Sequence, residues 1–292
     1  MTEHAPDSTF DIRRPVNRTS PVVFASPHSG SRYPQAFLEQ SDLDRLAVRR
    51  SEDAFVDELF AAAPDFGAPL ITAQFPRAYV DANREPFELD PAMFDDALPS
   101  WVNTTSPRVA AGLGTVARIV AGGAEIYSGP LSFNEVEARI RKHHIPYHEA
   151  LSGLIDETLD LFGCCLVVDC HSMPSMAVPG IGRVQPDVVL GDCHGSTCNR
   201  EISLLAERTL SDLGLTVTRN KPYAGGYTTR HYARPSIGVQ TLQIEVNRAL
   251  YMNEAEICKN AGFERLAERL KILVASLARL TPDLIHPSMA AE

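Results

Sequence analysis

The chain is short of positive charge: Lys and Arg number 27 against 37 Asp and Glu, for a net charge of −10. No global basic field is available to gather phosphates, which argues against a nucleic-acid partner. No stretch approaches the roughly 18 apolar residues of a membrane-spanning helix. The start, MTEHAPDSTFDIRR, lacks the basic region and apolar stretch of a secretory leader. A soluble cytoplasmic protein with no membrane partner is expected. Cysteine is sparse, six in 292 residues, with Cys164 and Cys165 adjacent in an apolar run. That is too few for a disulfide scaffold, and reduced thiols follow. Familiar site signatures are missing as well. His143, His144 and His148 include an i, i+4 pair, but the glutamate of a HExxH zincin is absent and Pro146 intervenes. Cys193 and Cys198 have no second pair at zinc-finger spacing. Gly225-Gly226 is followed by no Gly-Lys-Ser/Thr, so neither nucleotide fingerprint is present.

What the chain does hold is a globular composition, 44% hydrophobic and 22% charged, enough to bury a sizeable core. No repeat, linker or low-complexity tract divides it, and one catalytic domain over residues 1–292 is expected. Short apolar runs predict strands at VVFAS after Pro21, at PLITA, at AYVDA, at CCLVVDC (164–170), and at 187–190, 215–219 and 239–246. Helical spacing falls at 42–50, 53–63, 109–120, 132–162, 199–213 and 253–279, with Pro146 and Gly153 as breaks in the fourth. Residues 84–107, rich in Pro and acids, read as a long irregular surface excursion. Strands alternating with helices predict an α/β fold: a mixed, mainly parallel sheet with helices on both faces.

In such sheets ligands collect at the carboxyl ends of strands. Two histidines stand there: His28 after VVFAS and His171 after CCLVVD. Neutral imidazole is the commonest metal ligand, and catalytic zinc sites use three protein ligands and an open position. A carboxylate is the missing third, and Glu52-Asp53 opens a predicted helix, where an acid could equally be a cap. Gln243 and Glu245 share one face of a predicted strand. If that face is a cleft, Glu245 is a general-base candidate; otherwise the pair faces solvent. Arg77, Asp81 and Asn83 have odd spacing and precede Arg84. Arg77 or Arg84 with Asn83 could grip an anion, unless Arg77 simply pairs with Asp81. Gly226 lies in a glycine pair that permits close backbone approach to a ligand, and Arg230 adds a cation.

The ordered set SPHSG, SEDAFVDEL, PRAYVDANR, PYHEAL, VVDCHSMPS, LGDCHGSTC, GGYTTRHYARP and LQIEVNRALYMNE resembles the N-formylglutamate amidohydrolase family from about Pro21 to Glu254. The resemblance implies a zinc-dependent exopeptidase-like or aspartoacylase-like fold and one Zn2+. It implies His28, Asp53 and His171 as ligands and Glu245 as the catalytic carboxylate. A carboxypeptidase-like His-x-x-Glu is absent, since Ser31 stands three after His28; Asp53 is therefore the assigned acid, with Glu52 the alternative. The implied reaction is hydrolysis of N-formyl-L-glutamate, or a related N-acyl amino acid, to formate and L-glutamate, in histidine degradation. Arg84 is the candidate for oxyanion stabilisation, and Arg77, Asn83, Arg84, Gly226 and Arg230 for substrate binding. A metallocarboxypeptidase and a non-catalytic small-acid-binding protein are the competing classes; peptide cleavage would mark the first, absence of amide hydrolysis the second.

Overall fold

The computed structural model of the chain describes residues 8–175 and 186–286. Seven strands make one sheet: β1 (Phe10–Arg13), β2 (Val22–Ser26), β3 (Leu70–Ala73), β4 (Cys165–Met173), β5 (Val188–Gly191), β6 (Val217–Arg219) and β7 (Val239–Asn247). Their order is β1-β3-β2-β4-β7-β5-β6. The pairs β2/β4, β4/β7 and β5/β6 are parallel, and β5/β7 is antiparallel. The mixed, mostly parallel α/β sheet expected from strand and helix alternation is therefore present. Every residue of β2, β4 and β7 is buried. That accounts for the apolar runs VVFA in β2 and CLVV in β4, since strands covered on both faces have no solvent side to alternate toward, while β7 buries Gln240, Thr241, Gln243, Glu245 and Asn247 among its apolar residues.

Five helices of six or more residues accompany the sheet: α1 (Phe133–Arg139), α2 (Ile145–Phe162), α3 (Arg200–Asp212), α4 (Tyr227–Tyr232) and α5 (Phe263–Ala278). In α5 the buried residues Phe263, Leu266, Leu270, Leu273, Val274 and Leu277 recur at three and four, forming one apolar stripe. Before it, Met252–Asn253 and Cys258–Lys259 pair as a short hairpin where sequence periodicity predicts helix. Between α1 and α2 the helix passes through a π turn, Ile140–His144, and continues across both Pro146 and Gly153. Proline lacks the N–H that would bond the carbonyl four residues back, so a register change just before Pro146 accommodates it.

Contacts cluster into two compact units. One comprises the chain up to Asp11, Pro27–Ala54 and Thr72–Ala150; the other Ile12–Ser26, Phe55–Ile71 and the chain from Leu151 onward. Several sequence expectations fail within the first unit. The AYVDA segment is a turn rather than a strand: Tyr79 and Val80 both donate backbone N–H groups to the Pro76 carbonyl. The predicted 109–120 helix is a single turn, Pro107–Ala110. The 84–107 segment is irregular, but it is no mere surface excursion. Leu89, Met93 and Val102 from it join Val116, Leu131, Val136 and Ile140 in a core of their own.

Candidate active site

His28 follows β2 and is 1% exposed. Two residues on, Gly30 runs so close to the chain that a Cβ there would lie 2.1 Å from the Phe75 carbonyl oxygen. Only glycine permits that approach, which fixes the SPHSG turn. The His28 carbonyl accepts the Asp53 N–H at 3.0 Å, and the His28 ring meets a carboxylate at each nitrogen. Nδ1 is 3.3 Å from Asp53 Oδ2 and Nε2 is 2.7 Å from Asp81 Oδ1.

Asp53 does not open a helix. Phe55 stands in the left-handed region at φ 66 as the residue before a short helix, Val56–Leu59, so Asp53 lies two residues outside the first turn and turns to His28 instead. Glu52 is engaged elsewhere. It accepts from Arg49 Nε at 2.9 Å, Arg49 Nη2 at 3.0 Å and the Tyr33 hydroxyl at 2.7 Å. Burial and the Glu52 charge push the Tyr33 phenol up.

Asp81 is the second anchor of His28. Burial pushes its carboxyl up, but Arg84, Arg77 and His28 outweigh that and hold it well below the usual carboxylate range. Arg77 Nε donates to Asp81 Oδ2 at 3.0 Å, forming the ion pair that competed with a substrate role for Arg77 in the sequence. Arg84 is 6% exposed. Its Nε donates to the Leu113 carbonyl, its Nη1 to the Asn83 carbonyl, and its Nη2 lies 3.8 Å from Asp81. Burial, opposed by Asp81, lowers the Arg84 guanidinium to about 10. Asn83 is buried, with its N–H on Asp81 Oδ1 at 2.8 Å. The loop is braced from α2. His148 Nε2 is 2.7 Å from the Ala82 carbonyl, and His144 Nε2, from the π turn, is 2.9 Å from the Arg84 carbonyl. Carbonyls only accept, so both rings carry a proton on Nε2. The i, i+4 spacing of these histidines serves loop support rather than a zinc motif.

In the second unit, β4 continues two residues past His171, so this histidine lies inside a strand. The register pairs His171 with Glu245 and Asp169 with Gln243. Partners in adjacent parallel strands point to the same face, so one face carries the sequence Asp169, His171 beside Gln243, Glu245. His171 Nε2 lies 3.0 Å from Asp169 Oδ1, and both are buried. Glu245 is 8% exposed, and its Oε1 accepts from Gln243 Nε2 at 2.9 Å. A solvent-facing pair is thereby excluded. Gly226 caps α4, and its carbonyl accepts from Arg230 Nη1 at 3.2 Å. Gly225, at φ +135 with a built Cβ only 2.6 Å from Cys193 Sγ, could be no other residue. Arg230 is exposed.

His28, Asp53 and His171 are all buried. Two imidazoles and a carboxylate form the donor set of a catalytic zinc site. His28 has the Asp81 carboxylate hydrogen-bonded at its Nε2, the arrangement that fixes tautomer and ring orientation in metal-ligating histidines. These residues fit a divalent cation.

A mixed α/β sheet with one imidazole on a strand and one in the turn after another, a buried carboxylate and a buried acid on β7 defines a hydrolase-like α/β protein with candidate metal ligands. Comparison with known proteins gives the family. The family model described as N-formylglutamate amidohydrolase matches residues 20–252, and the chain belongs to that family. It is a hydrolase acting on amide C–N bonds. It is 35% identical in sequence to an N-formylglutamate amidohydrolase from Ralstonia eutropha JMP134 whose crystal structure superposes with a TM-score of 0.88, covering 92% of this chain and 97% of that one. An N-formylglutamate deformylase from Pseudomonas putida is 26% identical over 242 residues, 81% of this chain and 83% of the relative. A gene product of Agrobacterium tumefaciens at 22% identity shares the fold, with a TM-score of 0.63 over 92% of this chain and 94% of that one.

Proposed function

We propose that the protein is a zinc-dependent deformylase that hydrolyses N-formyl-L-glutamate to formate and L-glutamate. The observation that carries this reading is the buried His28, Asp53, His171 donor set, in a chain whose relatives include N-formylglutamate deformylases. His28, Asp53 and His171 would hold the zinc. When bound, zinc polarises the formyl carbonyl and makes water acidic enough to attack at neutral pH.

The chain's own groups carry the proton and orient the substrate. Glu245 takes the proton from the attacking water and returns it to the departing nitrogen, a role that suits a carboxylate held in a buried strand. Asp81, hydrogen-bonded to His28 Nε2, keeps that imidazole in one orientation before substrate arrives. Arg77, Asn83, Arg84, Gly226 and Arg230 are the substrate-contacting set. Arg84, held by two backbone carbonyls, is the rigid cation for the developing oxyanion.

Glu245→Gln tests the assignment. It should keep fold and metal but lower kcat by at least about 100-fold, as removal of a general base does. Near-parental turnover with metal retained would remove Glu245 from the chemistry.

A further inference from the structure

Glu245 has three rotatable side-chain bonds, and in a proton-transfer role its carboxylate must hold one orientation. Gln243, two residues earlier on the same face of β7, meets that need. A carboxylate only accepts hydrogen bonds, so the 2.9 Å contact with Glu245 Oε1 forces Gln243 to present its Nε2. That leaves Gln243 Oε1 turned toward the Thr229 hydroxyl, 3.4 Å away, a long and weak bond of the right polarity. Thr229 is itself fixed. Its Oγ1 accepts from the Gly226 N–H at 3.3 Å, and its carbonyl accepts from the Thr241 hydroxyl at 2.6 Å. A directed chain therefore runs from the Gly226 N–H through Thr229 and Gln243 to Glu245. Turning the amide over would set a carbonyl oxygen against the carboxylate, so the order admits one arrangement. Gln243 and Thr229 are both buried.

We infer that Gln243 is a positioning residue for Glu245, its orientation set by Thr229 and, through it, by the Gly226 turn. The inference rests on the reading of Glu245 as the proton-transfer group. It assigns a purpose to a polar side chain buried in a central strand.

The test is steady-state hydrolysis of N-formyl-L-glutamate by the zinc-loaded full chain, with metal content and thermal melting recorded for each variant. Gln243→Met keeps the length and removes the amide. It should lower kcat about tenfold while KM and metal content stay within about twofold, and it should cause no further loss when combined with Glu245→Gln, because coupled groups are non-additive. Turnover of Gln243→Met near that of the parent, or a full additional loss in the Glu245→Gln background, would overturn the inference. If Gln243→Met fails to fold, the Thr229 pair decides: Thr229→Val should lower kcat and Thr229→Ser should keep it, and equal activity of the two would overturn the inference. Near-parental turnover of Glu245→Gln alone would instead overturn the reading on which the inference rests.

Discussion

His28 is held between two carboxylates, and only one of them belongs to the metal-ligand set. Asp53 lies at Nδ1 and Asp81 at Nε2, with Asp81 in turn gripped by Arg77 and flanked by Arg84. Removing the negative charge at Asp81 while keeping its shape should therefore act through His28. Asp81→Asn is expected to weaken zinc affinity about 10- to 100-fold, the usual cost of losing a partner behind a ligating histidine. Competition against a chromophoric chelator measures it; an unchanged affinity would show that Asp81 serves only Arg77 and Arg84. His28, His171 and Glu245 stand out in the sequence as candidates because each interrupts or follows an apolar run with a group able to ligate or to carry a proton, whereas Asp53, after Arg-Arg-Ser-Glu, is proposed from the need for an acidic third ligand and from the family resemblance. Asp81 and Asp169 were not read as partners of those histidines. The His28–Asp81 contact spans 53 residues and has no local signature, whereas Asp169 lies two residues before His171, the spacing that puts both on one face of a strand.

At the level of elements, strand order and type were readable where both faces are buried. VVFAS, the 164–170 run and 239–246 each form a strand, consistent with short runs covered on both faces of a sheet. AYVDA failed for a related reason. Its apolar residues are buried too, Ala78 and Val80 at 2% and 0% exposure, but they pack from a turn whose hydrogen bonds are set by Pro76, and alternation alone does not separate the two. The loops that present Gly226 depend on a different knot. Asp192, after β5, accepts from Ser203 on α3, Arg219 on β6, Asn220 and the Gly195 N–H. Burial raises its carboxyl, and these donors more than offset that, leaving it below the ordinary value. A depressed carboxyl stabilises the fold above the unfolded pKa, about 3.9. That contribution is lost as pH falls through the lower folded value. Asp192→Asn should thus cost about 1–3 kcal/mol at pH 7, with the gap to the parent shrinking as the pH is lowered below about 4. Denaturant melts at the two pH values check this; a gap independent of pH would mean that the charge of Asp192 does not matter.

For the whole molecule, a net charge of −10 is set against the proposed substrate, N-formyl-L-glutamate, which is itself a dianion. The protein must offset its own field locally, and cations facing the substrate are the means. N-formyl-L-glutamate should then be cleaved better than N-formyl-L-leucine. Replacing Arg230, the exposed cation of the set, by Gln should remove about 1.5–3 kcal/mol of that preference, roughly 10- to 150-fold in kcat/KM. Equal kcat/KM for both substrates in the parent would reject a dicarboxylate pocket while leaving amide hydrolysis in place. The absence, among the described residues, of any helix long and apolar enough to cross a membrane agrees with the sequence. The central claim is that His28, Asp53 and His171 hold one catalytic zinc, and zinc-dependent formate release tests it most directly. Protein stripped by chelator is titrated with zinc while formate from N-formyl-L-glutamate is measured, for the parent and for the His28→Ala, His171→Ala double variant. The expected result is activity that rises to a plateau at about one equivalent in the parent and stays at background in the double variant, which binds no tight zinc. Full turnover by the stripped parent, or one tightly held equivalent in the double variant, would contradict the account.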